Sequence, residues 1–471
     1  MKHLLRLLLL PVFTCLFLIH QGANADERED DLFGEEDTTL FSEQEDGESK
    51  GENSSLKLAL KEALQQKEKH LDIGGRFYYT NSLLVPENSQ LSDGRLSTSG
   101  IVDLYFDARL DDDLRFYFQQ KLSNSVASEQ DIIPLVLSQL GEKNDIDQLW
   151  IKFSIDQRYY FTIGKQPTKL GAGFVWQPTD FLNVDRYNPL DLTDQRLGVN
   201  LVKLQIPLPD NNLNIYAIAQ LDDTKTLDEI GALLRIEYLS KSGEYAFSVK
   251  NSKDSQLRLG LDASVGFKYF DWLISAAVIH NDPRPFIIEA LGPAQFLLTD
   301  ILEAPQAIDR SEEWFKQTST GLLYTRTIFD NKTLIINGEY FYNEAGYTNR
   351  NVLPSIIINS FIPGSATNFN PLYFGKEYAA VGLSINGLGA DQDQSISVIA
   401  ISNLDDQTGV TQLVYRTQLF RDLALSTSMG WFLGDEGVFR PSLGETNVPF
   451  AEDLLILPPR FNASLQLSLS F

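Results

Sequence analysis

Beyond residue 70, apolar and polar side chains alternate in short runs separated by turn residues. That is the period of a β-strand with one oily and one wet face. The end of the chain shows it most plainly. Phe461, Ala463, Leu465, Leu467, Leu469 and Phe471 share one face, while Asn462, Ser464, Gln466, Ser468 and Ser470 share the other. Hairpins of the same kind recur upstream. Val102, Leu104, Phe106, Ala108 and Leu110 alternate with Asp103, Tyr105, Asp107 and Arg109, and the chain turns at Asp111-Asp112-Asp113. It continues as Leu114, Phe116 and Phe118 alternating with Arg115, Tyr117 and Gln119. Similar pairs flank Asp156-Gln157-Arg158, Pro209-Asp210-Asn211-Asn212, Tyr269-Phe270-Asp271, Phe329-Asp330-Asn331 and Arg421-Asp422. With a first strand beginning at Leu71, the pattern predicts about eighteen strands; sixteen is the alternative, because the alternation weakens near Val199 and Glu377.

The connections carry a second signal. If the first strand runs outward from the periplasmic side, every one of those tight turns falls at the inner end. The long connections, 123–147, 167–197, 281–313, 344–376 and 434–459, all fall at the outer end. Short inner turns and long outer loops are the asymmetry of a transmembrane barrel. A soluble sandwich also alternates but has no reason to sort its loops by length. The predicted fold is therefore all-β: a transmembrane antiparallel up-and-down β-barrel over residues 71–471. A barrel of that strand number is too wide for its own side chains to fill, so an aqueous lumen is expected.

The first 70 residues are of a different kind. Lys2, His3 and Arg6 precede an apolar run from Leu7 to Ile19, followed by Ala23-Asn24-Ala25. This is the pattern of a cleaved secretory signal peptide, residues 1–25. Cys15 lies within it, so the mature chain carries no cysteine, and thiol chemistry and Cys-ligated metals drop out. Residues 26–70 follow as a predicted disordered acidic tail, with thirteen acidic residues against Arg28 and Lys50 between Asp26 and Glu52. The unit Leu32-Phe33-Gly34-Glu35 returns as Leu40-Phe41-Ser42-Glu43, which leaves open a periplasmic docking peptide beside a plain solvated tail. Leu56, Leu60 and Leu64 suit a short helix ending near His70, either a spacer or a lumen plug.

Composition excludes several classes. With a formal charge of −25 and no basic face, nucleic acid is not an expected partner. The longest charge-free stretch past the signal, Asn351 to Gly375, is broken by Pro354, Pro363 and Pro371, so no spanning helix is expected. After the signal only His70 and His280 remain, at the ends of predicted elements, so a hydrolase built on a Ser-His pair has no footing and no enzyme activity or cofactor is expected.

Within the barrel, the inward register of the clearest strands carries Arg109, Arg115, Lys121, Lys152, Arg235, Lys250, Arg258 and Arg416, against Asp103, Asp107, Glu237, Asp262 and Glu339. Such a wall favours anionic or neutral polar solutes; alternatively its charges pair with one another and stiffen the wall. The third outer connection is rich in Gly, Pro and Asn, and contains Trp176 and Phe181, which are suited to pack it against the inner wall.

The terminal strand with its final Phe471 resembles the outer-membrane barrels of diderm bacteria. That resemblance implies outer-membrane lipid and the barrel-assembly machinery as partners. In porins the third loop commonly folds inward, which implies a constriction at Lys165, Lys169, Asp180, Asp185, Arg186, Asp191 and Arg196. Trp150 and Gly164-Lys165-Gln166 resemble alginate-export-type barrels of eighteen strands over about forty residues. The expectation is a porin-like channel. The alternatives are a polysaccharide-export barrel or a non-conducting adhesin or structural barrel.

Overall fold

The computed structural model describes residues 71–111, 113–126, 146–183, 190, 198–222, 224, 226–252, 257–280, 286–287, 307–310, 312–328, 331–360, 369–448 and 451–471. The signal segment, the acidic tail and the helix expected before His70 lie outside the described residues.

Eighteen antiparallel strands form one sheet. The first nine are β1 Leu71–Pro86, β2 Arg95–Asp111, β3 Leu114–Val126, β4 Ile146–Ile155, β5 Tyr159–Gln166, β6 Val199–Leu208, β7 Leu213–Gln220, β8 Gly231–Ser240 and β9 Gly243–Asn251. The rest are β10 Leu257–Phe267, β11 Phe270–His280, β12 Trp314–Ile328, β13 Lys332–Asn343, β14 Glu377–Leu388, β15 Gln394–Asn403, β16 Gly409–Phe420, β17 Leu423–Leu433 and β18 Pro459–Ser470. Each pairs with its neighbours in sequence, and β18 returns to β1 from Arg76↔Ser470 to Pro86↔Pro459. The sheet is thus closed without an edge, and the count is eighteen rather than sixteen. Both weakly patterned segments, at Val199 and Glu377, are full strands.

The tight turns sit at one rim, and local chemistry explains them. Asp156 and Gln157 both take left-handed backbone (φ 54° and 50°), the two-residue turn whose twist matches a hairpin. Pro209 opens a short 3₁₀ turn that Asn212 ends in the left-handed region. The opposite rim carries the long connections 87–94, 127–145, 167–198, 221–230, 281–313, 344–376 and 434–458. Two connections at this rim, 252–256 and 404–408, are as short as turns, so the sorting by length is strong but incomplete.

Apolar positions face outward, as the alternation requires. Leu261, Leu322, Val381 and Met429 are exposed, while Asp262, Asn337, Ser428 and Gln466, on the opposite register of these and adjoining strands, are buried on the inner side. Trp272, Trp314 and Trp431 lie on the outward register near strand ends, where a barrel carries its aromatic girdles. No helix among the described residues is long and apolar enough to cross a membrane. One short helix, α1 at Leu353–Ser360, does occur in the stretch that its prolines deny to a long one. Pro354 is its second residue, where the missing N–H costs nothing.

Candidate lumen constriction

Loop 3 (167–198) leaves the long-loop rim at the end of β5 and turns into the barrel. Its anchor points lie across the lumen: β5 and β13 are eight strands apart in a ring of 18. The amides of Phe174, Val175 and Trp176 donate to the Glu339 carboxylate of β13 at 3.0, 2.7 and 3.0 Å. Ser319 of β12 donates its hydroxyl to the Trp176 carbonyl (3.2 Å), and the Ala172 amide donates to Ser275 Oγ of β11 (3.2 Å). Thr179 Oγ1 donates to Asp262 of β10 at 2.5 Å, and Lys250 Nζ of β9 donates to the Phe181 carbonyl at 2.9 Å.

Packing reinforces these bonds. Trp176 is fully buried, stacks on Phe341 with centroids 5.5 Å apart, and donates its indole N–H to the Leu372 carbonyl (2.9 Å). Around it the outer ends of β13–β17 and loops 344–376 and 434–458 bring together Val352, Ile356, Ile357, Phe374, Tyr378 and Phe439 in one apolar cluster. Leu170, Phe181 and Leu182 belong to a second cluster with Val199, Leu201 and Ile218 of β6 and β7. Two glycines permit the close approach. A Cβ at Gly173 would collide with the Trp176 carbonyl, and one at Gly260 would come within 3.0 Å of Phe181 and Thr179.

The inward fold of loop 3 was legible in the sequence, but of the three expected constriction residues that are described, Lys165 and Asp180 do not face the lumen. Lys165 pairs with Leu149 and Asn200 on the outward register of β5, because Gly164 and Gln166 take the inward positions. Asp180 is buried and accepts the Asn183 amide (3.2 Å), so it braces the loop internally. Lys169 is exposed on the loop. Asp185, Arg186, Asp191 and Arg196 lie outside the described residues.

The eight expected wall cations divide by strand. Lys250 is covered by loop 3, donating also to Gln220 at 2.5 Å, and the Arg258 guanidinium sits 5.9 Å from the Phe181 ring centroid. Arg235 is 5% exposed and locked between Asp262 (2.7 Å) and Glu237 (2.6 Å), with Ser248 as a third partner. These three hold the loop and its footing rather than face an open channel. On β2–β4 the wall is a linked polar surface. Arg115 grips Asp107 with two bonds (2.9 and 2.8 Å), Arg109 lies 3.9 Å from the same carboxylate, and Lys121 pairs with Asp147 at 3.5 Å. Gln119 donates to both Asp103 oxygens and accepts from Gln148, which in turn accepts from the Trp150 indole. Trp150 stacks on Tyr117 (5.2 Å) and carries Arg115 on its ring. Pairing among wall charges is therefore extensive, yet Arg115 and Lys152 stay partly exposed and Arg416 of β16 is exposed. Arg416 is the charged residue among hydroxyl, amide and apolar side chains on the inner face of β14–β17, such as Ser384, Ser397, Gln412, Val414 and Ser428.

A further anchor was not foreseen. Arg440, 7% exposed, donates to the Pro459 carbonyl (3.2 Å) and the Gly434 carbonyl, and pairs with Glu87 at 2.6 Å. It clasps the seam between β1 and β18 at the loop rim. Nothing in the strand alternation marks a residue inside a long loop for that role. Among the described residues, no group of three His, Cys, Asp or Glu side chains is placed to hold a metal ion.

A closed sheet with an apolar outside, a polar inside and a chain segment laid across the lumen defines a β-barrel of the membrane-spanning class. No family model and no curated protein matches the chain. Similar solved structures include Acinetobacter baumannii OccAB1, at 11% identity and TM-score 0.48, covering 86% of this chain and 99% of that one. Pseudomonas aeruginosa OccK9 (OpdG) aligns at 8% identity and TM-score 0.49, over 85% and 98% of the two chains. Pseudomonas aeruginosa OpdK, solved with vanillate, aligns at 9% and 0.47 over the same shares.

Proposed function

We propose that this chain is an outer-membrane channel of a diderm bacterium, passing small polar or anionic solutes through a lumen narrowed by loop 3. The observation that carries the reading is the diametric loop. A ring of 18 strands encloses more space than its inward side chains fill, and one ordered segment crosses that space and is bound at nearly every residue from Ala172 to Phe181. The bonds hold loop 3 to the β9–β13 side, so the passage runs beside β1–β4 and β16–β18. Solutes there meet Arg76, Arg115, Lys152 and Arg416 interleaved with carboxylates, a surface favouring anions weakly. Lys169 contributes from the exposed face of the loop, and of the four undescribed loop positions Arg186 and Arg196 add positive charge while Asp185 and Asp191 offset it.

The loop rim faces outward and the turn rim faces the periplasm in this reading, with lipid against the apolar belt. Phe471 presents the last strand to the assembly machinery, and the acidic segment 26–70 extends from the start of β1 into the periplasm, where it is available to a partner.

Purified full-length barrel in planar bilayers should give stepwise conductance with a reversal potential on the anion side in a salt gradient. A protein that folds and inserts but never conducts would sink the channel and leave the adhesin reading. Blockage by an acidic polymer, with little small-ion flow, would favour polysaccharide export.

A further inference from the structure

Resting on the channel reading, we propose that Glu339 sets the channel's selectivity from a distance, by holding loop 3 away from the charged wall of β1–β4. Glu339 is buried, 6% exposed, and faces inward from β13 with Gly321 of β12 and Ala380 of β14 as its cross-strand neighbours. Neither neighbour is charged, and among the described residues its carboxylate has no ion-pair partner. What compensates its charge is a nest of three successive amides, Phe174, Val175 and Trp176, all within 3.0 Å, helped by the Ser319 hydroxyl beside it. Amides converging in this way bind an anion, and charge-assisted bonds to a buried carboxylate are about twice as strong as neutral ones. No neutral side chain of the same shape supplies three acceptor directions, since an amide group turns a donor toward at least one N–H.

The consequence is positional. The nest fixes residues 174–176 of loop 3 at the point of the ring opposite its root, leaving the passage beside Arg115 and Lys152. Without the carboxylate, three N–H groups, those of Val175 and Trp176 buried, lose their acceptor and the segment leaves the β13 wall. The passage then widens and solutes are no longer confined to the basic side. Two effects of Glu339→Gln thus oppose each other in sign. Deleting a negative charge from the lumen would, by Coulomb's law alone, strengthen anion preference. Releasing the loop weakens it and raises conductance. The proposal requires the second outcome.

The experiment compares wild type, E339Q and G173V in planar bilayers, with limited proteolysis of loop 3 in detergent as a readout independent of conduction. G173V attacks the nest from the loop side without changing charge, because its Cβ collides with the Trp176 carbonyl beside Glu339. Both variants should show higher conductance, loss of most anion preference and faster cleavage within loop 3, with heat-modifiable gel mobility reporting an intact barrel. E339A should behave likewise, and sodium acetate, but not sodium chloride at equal ionic strength, should restore loop protection by placing a carboxylate in the nest. Stronger anion preference in E339Q with unchanged loop protection would overturn the proposal, and so would loop release that acetate fails to reverse. If every protein is silent in bilayers, the channel reading fails, while proteolysis with acetate rescue still decides whether Glu339 holds the loop.

Discussion

Phe471, the last residue, exchanges both backbone hydrogen bonds with Gly75: the Phe471 amide donates to the Gly75 carbonyl at 2.9 Å and the Gly75 amide donates back at 2.8 Å. The chain end thereby completes the seam between its first and last strands. Gly75 is small for a physical reason, since a Cβ there would come within 2.7 Å of the Phe471 ring and 2.9 Å of the Asp103 carbonyl. Closure of the ring is therefore written at both ends of the barrel segment. Substituting Gly75→Leu should separate the seam at the turn rim. We expect a lower yield of the heat-modifiable folded form on refolding into detergent, and a lower melting temperature for whatever folds. An unchanged melting temperature would mean the seam tolerates the side chain by moving Phe471, which is 64% exposed.

The same seam is clasped at the other rim by Arg440. Replacing it with Met removes a charge-assisted bond to Glu87 and two donors to backbone carbonyls. Because Glu87 is partly exposed, the ion pair itself counts for little; the carbonyls left without donors matter more. A loss of about 1–3 kcal/mol is expected, read from urea unfolding of the detergent-solubilised barrel.

The alternation revealed the fold because every strand has one wall against solvent of low polarity and one against the lumen, so each polar position reports its side. Even weak segments became strands, since Val199–Leu208 needs only neighbours with free edges. The loop was partly legible: Trp176 and Phe181 announced an inward packing face. Its charges were not. A residue's number in a loop does not tell which way its side chain points, and Lys165 fell on the outward register through the inward placement of Gly164. Nor does sequence distinguish a wall cation that faces water from one, like Lys250 or Arg235, that a folded-back loop covers. Glu339 was visible only as one lumen anion among five. Its role depends on three amides some 165 residues earlier in the chain.

Trp176 joins loop 3 to the outer-loop cluster. Trp176→Ala removes the stacking on Phe341, the contact with Tyr378 and the indole bond to Leu372. Large-to-small changes at such sites cost about 3–5 kcal/mol. The loss should be local, because the strand ladders remain. Protease should cut the loops rapidly while the heat-modifiable band persists, and complete loss of the folded band would show that the loop cluster is needed for barrel formation itself.

Lys121 and Asp147 form a buried pair where β3 and β4 meet at a bulge, with side chains 11% and 5% exposed. Burial of both charges decides the outcome. Removing either partner alone strands the other in a site that cannot hydrate it, a cost of about 3–5 kcal/mol, whereas replacing both by apolar residues of similar volume can be close to neutral. Lys121→Met and Asp147→Leu should each destabilise the barrel strongly, and the double variant should recover most of the loss. Selectivity gives a second measure. The pair is neutral together, so the double variant should leave the reversal potential unchanged, while Arg115→Gln, which removes a wall cation and leaves Asp107 with Arg109 at 3.9 Å, should move it toward cations. Additive losses in the cycle, or a shifted potential in the double variant, would show that Lys121 faces the passage as a free charge rather than serving the bulge.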